Sequence, residues 1–188
     1  MFEVDVNVLT SNLKLQIFPK GFPGNKPQIS LFMDTGLLHL HNLLRWVILV
    51  LLLISIYKAY SGWQQKKSFS VADRKIWLFT LIASHITLVL GLYQWLWGRF
   101  GMLKIDLPEG ETVMKNKFYR FFWVEHPLFM ILAIIMITLG YGMAKKPLPD
   151  QVKYRRAFWF FVIALMMIMV AVPWPFRAGI SRPWFPGM

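Results

Sequence analysis

The sequence predicts an all-α protein: a polytopic membrane protein whose four transmembrane helices form a bundle, with both termini on the non-cytoplasmic side. Three observations lead there. Of the 188 residues 56% are hydrophobic, at a mean hydropathy of +0.47, yet the formal net charge is +12. The apolar residues collect in four uninterrupted runs of roughly 18–23 residues, enough at about 1.5 Å per residue to cross a ~30 Å hydrocarbon core. The charges fall in the short connections between the runs. Only a bilayer accepts helices that are apolar all round, and a soluble core helix would carry a polar stripe that residues 76–98 lack. Barrel strands would alternate in polarity over about ten residues, and nothing here does.

Residues 1–32 are mixed in polarity and contain Pro19, Gly21, Pro23, Gly24 and Pro27. They read as a disordered arm, or as sequence upstream of a true start at Met33. The domain proper is expected over 33–176, with helices at 37–58, 76–98, 121–144 and 157–172, followed by a tail at 177–188. The first connection holds Lys58, Lys66, Lys67, Arg74 and Lys75, and the third holds Lys145, Lys146, Lys153, Arg155 and Arg156. The second, around 99–120, dilutes its bases with Asp106, Glu109 and Glu111. The positive-inside rule places the first and third connections in the cytoplasm, and therefore both termini outside. Most of the nine tryptophans fall near the ends of the runs, as an interfacial belt requires. The bases are juxtamembrane and serve topology and anionic lipid, so nucleic acid is not an expected partner.

Ionisable groups inside apolar runs cost at least about 2–3 kcal/mol each at depth, so those present are candidates for function. They are His39, His41 and Arg45 on the first helix, His85 on the second, and Glu125 and His126 on the third. All four histidines of the chain lie within or at the edge of these runs. His39 and His41 are ~200° apart around a helix, so one faces inward. His41 is favoured, because His41, Arg45, Ile48, Leu52 and Ser55 share one face. Counting from the run centres puts His41 and His126 at the same depth in the outer leaflet, with Arg45 and Glu125 beside them and His85 near the midplane. Arg45 and Glu125 are expected to form an ion pair, or Arg45 to neutralise a haem propionate.

A six-coordinate haem takes two imidazoles from facing helices. His41 and His126 are the matched pair, with His85 as the alternative ligand. Small residues recur every seven positions on two helices: His126, Ala133 and Gly140, and Ser84, Gly91 and Gly98. They read either as room for a macrocycle or as ordinary close packing. Met166, Met167 and Met169 read as gap-filling rather than thioether ligands. With no cysteine, thiolate haem, covalently attached c-type haem, iron–sulfur clusters and disulfides are all excluded.

The phrases Leu38-His39-Leu40-His41-Asn42-Leu43-Leu44-Arg45-Trp46, Asp73-Arg74-Lys75-Ile76, Ala83-Ser84-His85, Val124-Glu125-His126 and Pro173-Trp174-Pro175-Phe176 carry a resemblance. Over 33–176 the chain resembles a group of small bacterial four-helix membrane proteins labelled cytochrome B. The resemblance implies a b-type haem held by His39 or His41, by His85 and by His126, in a bacterial cytoplasmic membrane. The chain lacks the second histidine pair by which di-haem cytochromes carry electrons across the membrane. The expected function is therefore electron transfer at one face, with a quinone or quinol pool or respiratory-chain subunits as partners. Two other readings stand beside it: a membrane protein binding copper or zinc through His41, His126 and His85, and a haem-free accessory or scaffold subunit of a respiratory complex. Independent catalysis is not expected, since no loop holds a nucleophile with its base, a phosphate-binding glycine motif or a carboxylate pair.

Overall fold

The computed structural model describes residues 28–185, all in helices, turns and loops with no strand among them. Helix α1 is Gln28–Gln64, α2 is Val71–Trp97, α3 is Lys117–Lys145 and α4 is Asp150–Ala171. All four are long and apolar enough to cross a membrane. Each is longer than its apolar run. The expected range 37–58 becomes Gln28–Gln64, and 157–172 begins seven residues earlier, at Asp150. A helix gains one backbone hydrogen bond per residue and has no reason to stop at the hydrocarbon edge; it runs on until a cap or a proline ends it. Residues 28–32, expected in the arm, are therefore helical. The rest of the arm, 1–27, lies outside the described residues.

The start of α2 shows how such an end is made. Ser70 Oγ accepts from the Asp73 backbone N–H at 3.1 Å and donates to Asp73 Oδ2 at 2.7 Å, a Ser-x-x-Asp cap. The same carboxylate accepts from Tyr154 Oη of α4 at 2.6 Å and pairs with Lys58 of α1 at 3.3 Å. Gly62 admits the Tyr154 ring, since a Cβ there would lie 2.5 Å from it. One buried carboxylate thus ties three helices together at one end of the bundle. The first and third connections meet at this end, where the Phe69 N–H donates to Asp150 Oδ2 at 2.9 Å and Gln151 Nε2 to the Lys67 carbonyl at 3.2 Å.

Side-chain contacts fix the order around the bundle, for residues from Asp34 on. Ser55 of α1 bonds Thr80 of α2 at 2.8 Å, and Trp95 of α2 donates to the Trp123 carbonyl of α3 at 3.0 Å. Gly140 of α3 lies under the Phe161 ring of α4, and Tyr154 of α4 returns to Gly62 of α1. Neighbours run in opposite directions, and α1 and α3 stand diagonally. Leu52, Ser55, Trp77, Thr80, Ser84, Ile137, Tyr154 and Phe161 fill the interior, while Leu53, Val89 and Met166 are among the large apolar side chains that point out. That outward apolar surface is what a helix needs in lipid.

The last described stretch, residues 173–185, is more than a tail. The Arg182 N–H returns to the Pro173 carbonyl at 3.0 Å, Ile180 is buried, and Gly179 supplies a turn at φ +82° that favours glycine. Lys117 Nζ of α3 donates to the Ala178 carbonyl at 2.6 Å. Trp46 Nε1 and Arg45 Nη2 of α1 both donate to the Trp184 carbonyl, at 2.9 and 2.8 Å. The segment is strapped across the end of the bundle opposite Asp73.

Candidate functional site

Three prolines shape the site end. A proline has no N–H, so the carbonyl four residues before it loses its in-helix donor. Pro127 leaves the Trp123 carbonyl in this state, and residues Phe121–Glu125 widen into a π-helical turn at that point. The carbonyl is taken by Trp95 Nε1 at 3.0 Å. At the end of α4, Pro173 deprives Met169, whose carbonyl accepts from Trp174 Nε1 at 2.8 Å. Pro175 would deny a donor to Ala171 in the same way, and that carbonyl accepts from His126 Nδ1 at 2.8 Å. The carbonyls of Val170 and Val172 accept from Arg177 Nη1 at 2.6 and 3.3 Å. Every terminal carbonyl of α4 is thereby satisfied, one of them by a histidine from the neighbouring helix.

That hydrogen bond fixes the chemistry of His126. A carbonyl can only accept, so Nδ1 carries the proton and Nε2 keeps its lone pair. A second group orienting an imidazole through its other nitrogen is the usual preparation of a metal-binding histidine. His126 meets His41 of α1, with ring centroids 6.4 Å apart and planes at 67°. Both rings line one cavity of about 530 Å³ that all four helices and the 173–185 segment enclose. Its deep walls are apolar, formed by Ile48, Ile131, Ile134, Ile137 and Ile168 among others. Gly91 of α2 lies under His41, where a Cβ would come 3.2 Å from its Cε1. The Thr87 backbone is beside the His41 ring but makes no hydrogen bond to Nδ1, which is buried without a partner.

The sequence-derived candidates divide as follows. His41, His126, His39 and Arg45 all line the cavity, with His39 among the mouth residues near Asp34 and Thr35. His85 does not line it. Its side chain is exposed, with Nδ1 bonded to the Leu81 carbonyl of its own helix at 2.9 Å. The expected Arg45–Glu125 pair is absent. Glu125 bonds Arg120 at 2.9 Å, because the π turn brings that near neighbour within reach. Arg45 instead holds the 173–185 segment through Nη2, packs over the rings of Trp46 and Trp174 at 5.3 and 5.7 Å, and leaves its buried Nε unpartnered. Of the small-residue rows, Ala133 and Gly140 serve close helix packing, Gly98 ends α2, and Gly91 makes room for His41.

Sequence reasoning missed Arg99 and Arg182 at the cavity mouth, and Asn42 and Gln94 on its wall. Gln94 Nε2 donates to the Leu37 carbonyl at 2.8 Å. Arg182 lies in the expected tail and Arg99 at the start of the second connection, so neither falls inside an apolar run. Among the described residues no three histidine, cysteine or acidic side chains converge on a point that could hold a metal ion.

Fold and site together define a class: a four-helix, membrane-type bundle with a paired-imidazole cavity near one end. Among known proteins, no family model, curated protein or solved structure matches this chain.

Proposed function

We propose that this chain is a multi-pass protein of the bacterial cytoplasmic membrane that holds one b-type haem through His41 and His126 and transfers electrons at one membrane face. The observation that carries the reading is the pairing of two imidazoles from diagonal helices inside an apolar cavity, their centroids 6.4 Å apart. With nitrogen–metal bonds of ~2 Å on either side of an iron, two ligating nitrogens stand ~4 Å apart and their ring centroids ~6 Å. The cavity volume is within the ~300–1,000 Å³ range of cofactor sites. Two imidazoles suit a six-coordinate haem better than a closed zinc or copper site, which takes three or four protein ligands.

The chain's own residues do the rest. Ala171 holds His126 in one tautomer, Gly91 leaves room for the His41 ring beside α2, and the isoleucines make the cavity wall apolar. A bound haem would supply one-electron oxidation and reduction. The lysine-rich connections meet at the opposite end of the bundle, which supports placing that end in the cytoplasm and the histidine site toward the outer face. An electron donor or acceptor, a quinol or a respiratory-chain subunit, would then approach from that side or through the outer leaflet.

The test is a pyridine haemochrome assay and a dithionite-reduced minus oxidised spectrum of the detergent-purified protein. One b-haem per chain in the wild type and in His85→Ala, lost in His41→Ala and His126→Ala, is the expected result. A protein that takes up no haem during expression with ample haem supply would return the function to the accessory-subunit reading.

A further inference from the structure

The cavity mouth carries positive charge that is not neutralised among the described residues. Arg45, Arg99 and Arg182 all line it, and the acid beside them, Asp34, is paired with Lys104 at 3.7 Å. Arg45 is committed to the Trp184 carbonyl. The guanidinium groups of Arg99 and Arg182 have neither an ion pair nor a hydrogen bond among the described residues. Their contacts are with aromatic faces. Arg182 lies over Phe122, Phe100 and Phe118 at 4.8, 5.4 and 5.8 Å, and Arg99 lies over Phe100 at 5.4 Å. Burial, together with the nearby Arg99 charge, holds Arg182 below the ordinary arginine range. Arg99 is exposed and Arg182 half-buried, so the two like charges repel at the rim of an apolar cavity, and an anion between them relieves that repulsion.

We propose that Arg99 and Arg182 form an anion clamp for the carboxylates of the cavity's ligand, and that residues 173–185 are the strap that brings Arg182 to the mouth. The proposal rests on the haem reading and specifies how the ligand sits: its apolar body lies among the isoleucines and its acidic edge faces the mouth. Five N–H donors in a planar fork suit a carboxylate, and the phenylalanine cluster holds the Arg182 fork in place before the ligand arrives. Arg45 anchors the strap by its carbonyls and acts as a positioning residue. The same charge pair could attract the phosphate of an anionic lipid, so the test must separate the two sources.

The experiment titrates the full-length protein, purified without haem in a zwitterionic detergent, with protohaem IX and with its dimethyl ester. The two share one macrocycle and differ only in whether the carboxylates are free. Wild type is expected to prefer the free acid by at least about tenfold. Arg99→Gln and Arg182→Gln should each lose about tenfold in free-acid affinity, and the double variant should show no preference. Ester affinity should stay constant throughout, which also reports that each variant has kept its cavity. Addition of an anionic phospholipid should leave the wild-type preference in place; if the lipid abolishes it, the clamp belongs to lipid and the proposal is overturned. Equal binding of acid and ester by the wild type overturns the clamp but leaves the haem reading standing. Binding of neither porphyrin removes both.

Discussion

The Nδ1–H of His126 donates at 2.8 Å to the carbonyl of Ala171, a carbonyl for which Pro175 can offer no helical donor. The relationship serves both partners. It satisfies a helix end that would otherwise be unpaired, and it leaves the lone pair on Nε2 of a ring that lines the cavity. His126→Phe keeps a flat ring but removes the donor. It is expected to destabilise the haem-free protein by about 1–3 kcal/mol in addition to abolishing ligation, as read by denaturant unfolding in one detergent. An unchanged midpoint would show that the Ala171 carbonyl finds another partner.

Two tryptophans play the same part at other carbonyls. Trp95→Phe strips the donor from the Trp123 carbonyl in the π turn, and Trp174→Phe strips it from Met169. Each is expected to cost about 1–3 kcal/mol, and the pair should add to within about 0.5 kcal/mol because the two bonds share no partner. The Trp95 variant should also broaden the haem band, since the π turn sets the position of His126.

Gly91 gives a graded prediction. An alanine Cβ would stand 3.2 Å from His41 Cε1, so the ring must shift by a few tenths of an ångström, and a valine would displace it. Haem content per chain should fall from wild type to Gly91→Ala and nearly vanish in Gly91→Val. Full occupancy in the valine variant would mean that His41 does not lie against α2 when the cofactor is bound.

At the far end of the bundle, Asp73→Asn and Tyr154→Phe should each destabilise, with a coupling of about 0.5–3 kcal/mol in a double-mutant cycle, because the two side chains share a 2.6 Å hydrogen bond. Haem content should be unaffected in both. Loss of haem there would indicate that the two ends of the bundle are coupled.

Much of this architecture is legible in the residues themselves. Uninterrupted apolar runs give four helices, and the 3.6-residue period puts His41, Ile48, Leu52 and Ser55 on one inward face, where Ile48, Leu52 and Ser55 are buried. Helix ends were less legible, because hydropathy marks the hydrocarbon edge while caps such as Ser70 and breakers such as Pro149 mark the end of the helix. The Arg45–Glu125 pair failed for a related reason: matching depth does not fix direction around a helix, and the π turn gives Glu125 a nearer partner in Arg120. His85 has the polarity of a site residue, but its phase on α2 turns it outward, and polarity alone does not give that phase. The role of Ala171 belongs to a backbone carbonyl and has no side-chain signature. Its only signal was the proline spacing in Pro173-Trp174-Pro175. Arg182 was hidden because the strap is held by long-range hydrogen bonds to Arg45 and Trp46 that no local pattern announces.

The most direct test of paired-imidazole ligation is the electron paramagnetic resonance spectrum of the oxidised, haem-loaded protein. Ligation by His41 and His126 predicts a low-spin ferric signal in the wild type and in His85→Ala, replaced by a high-spin signal or by loss of haem in His41→Ala and in His126→Ala. A low-spin signal that survives either of those two substitutions, or that disappears with His85, would contradict the site described here.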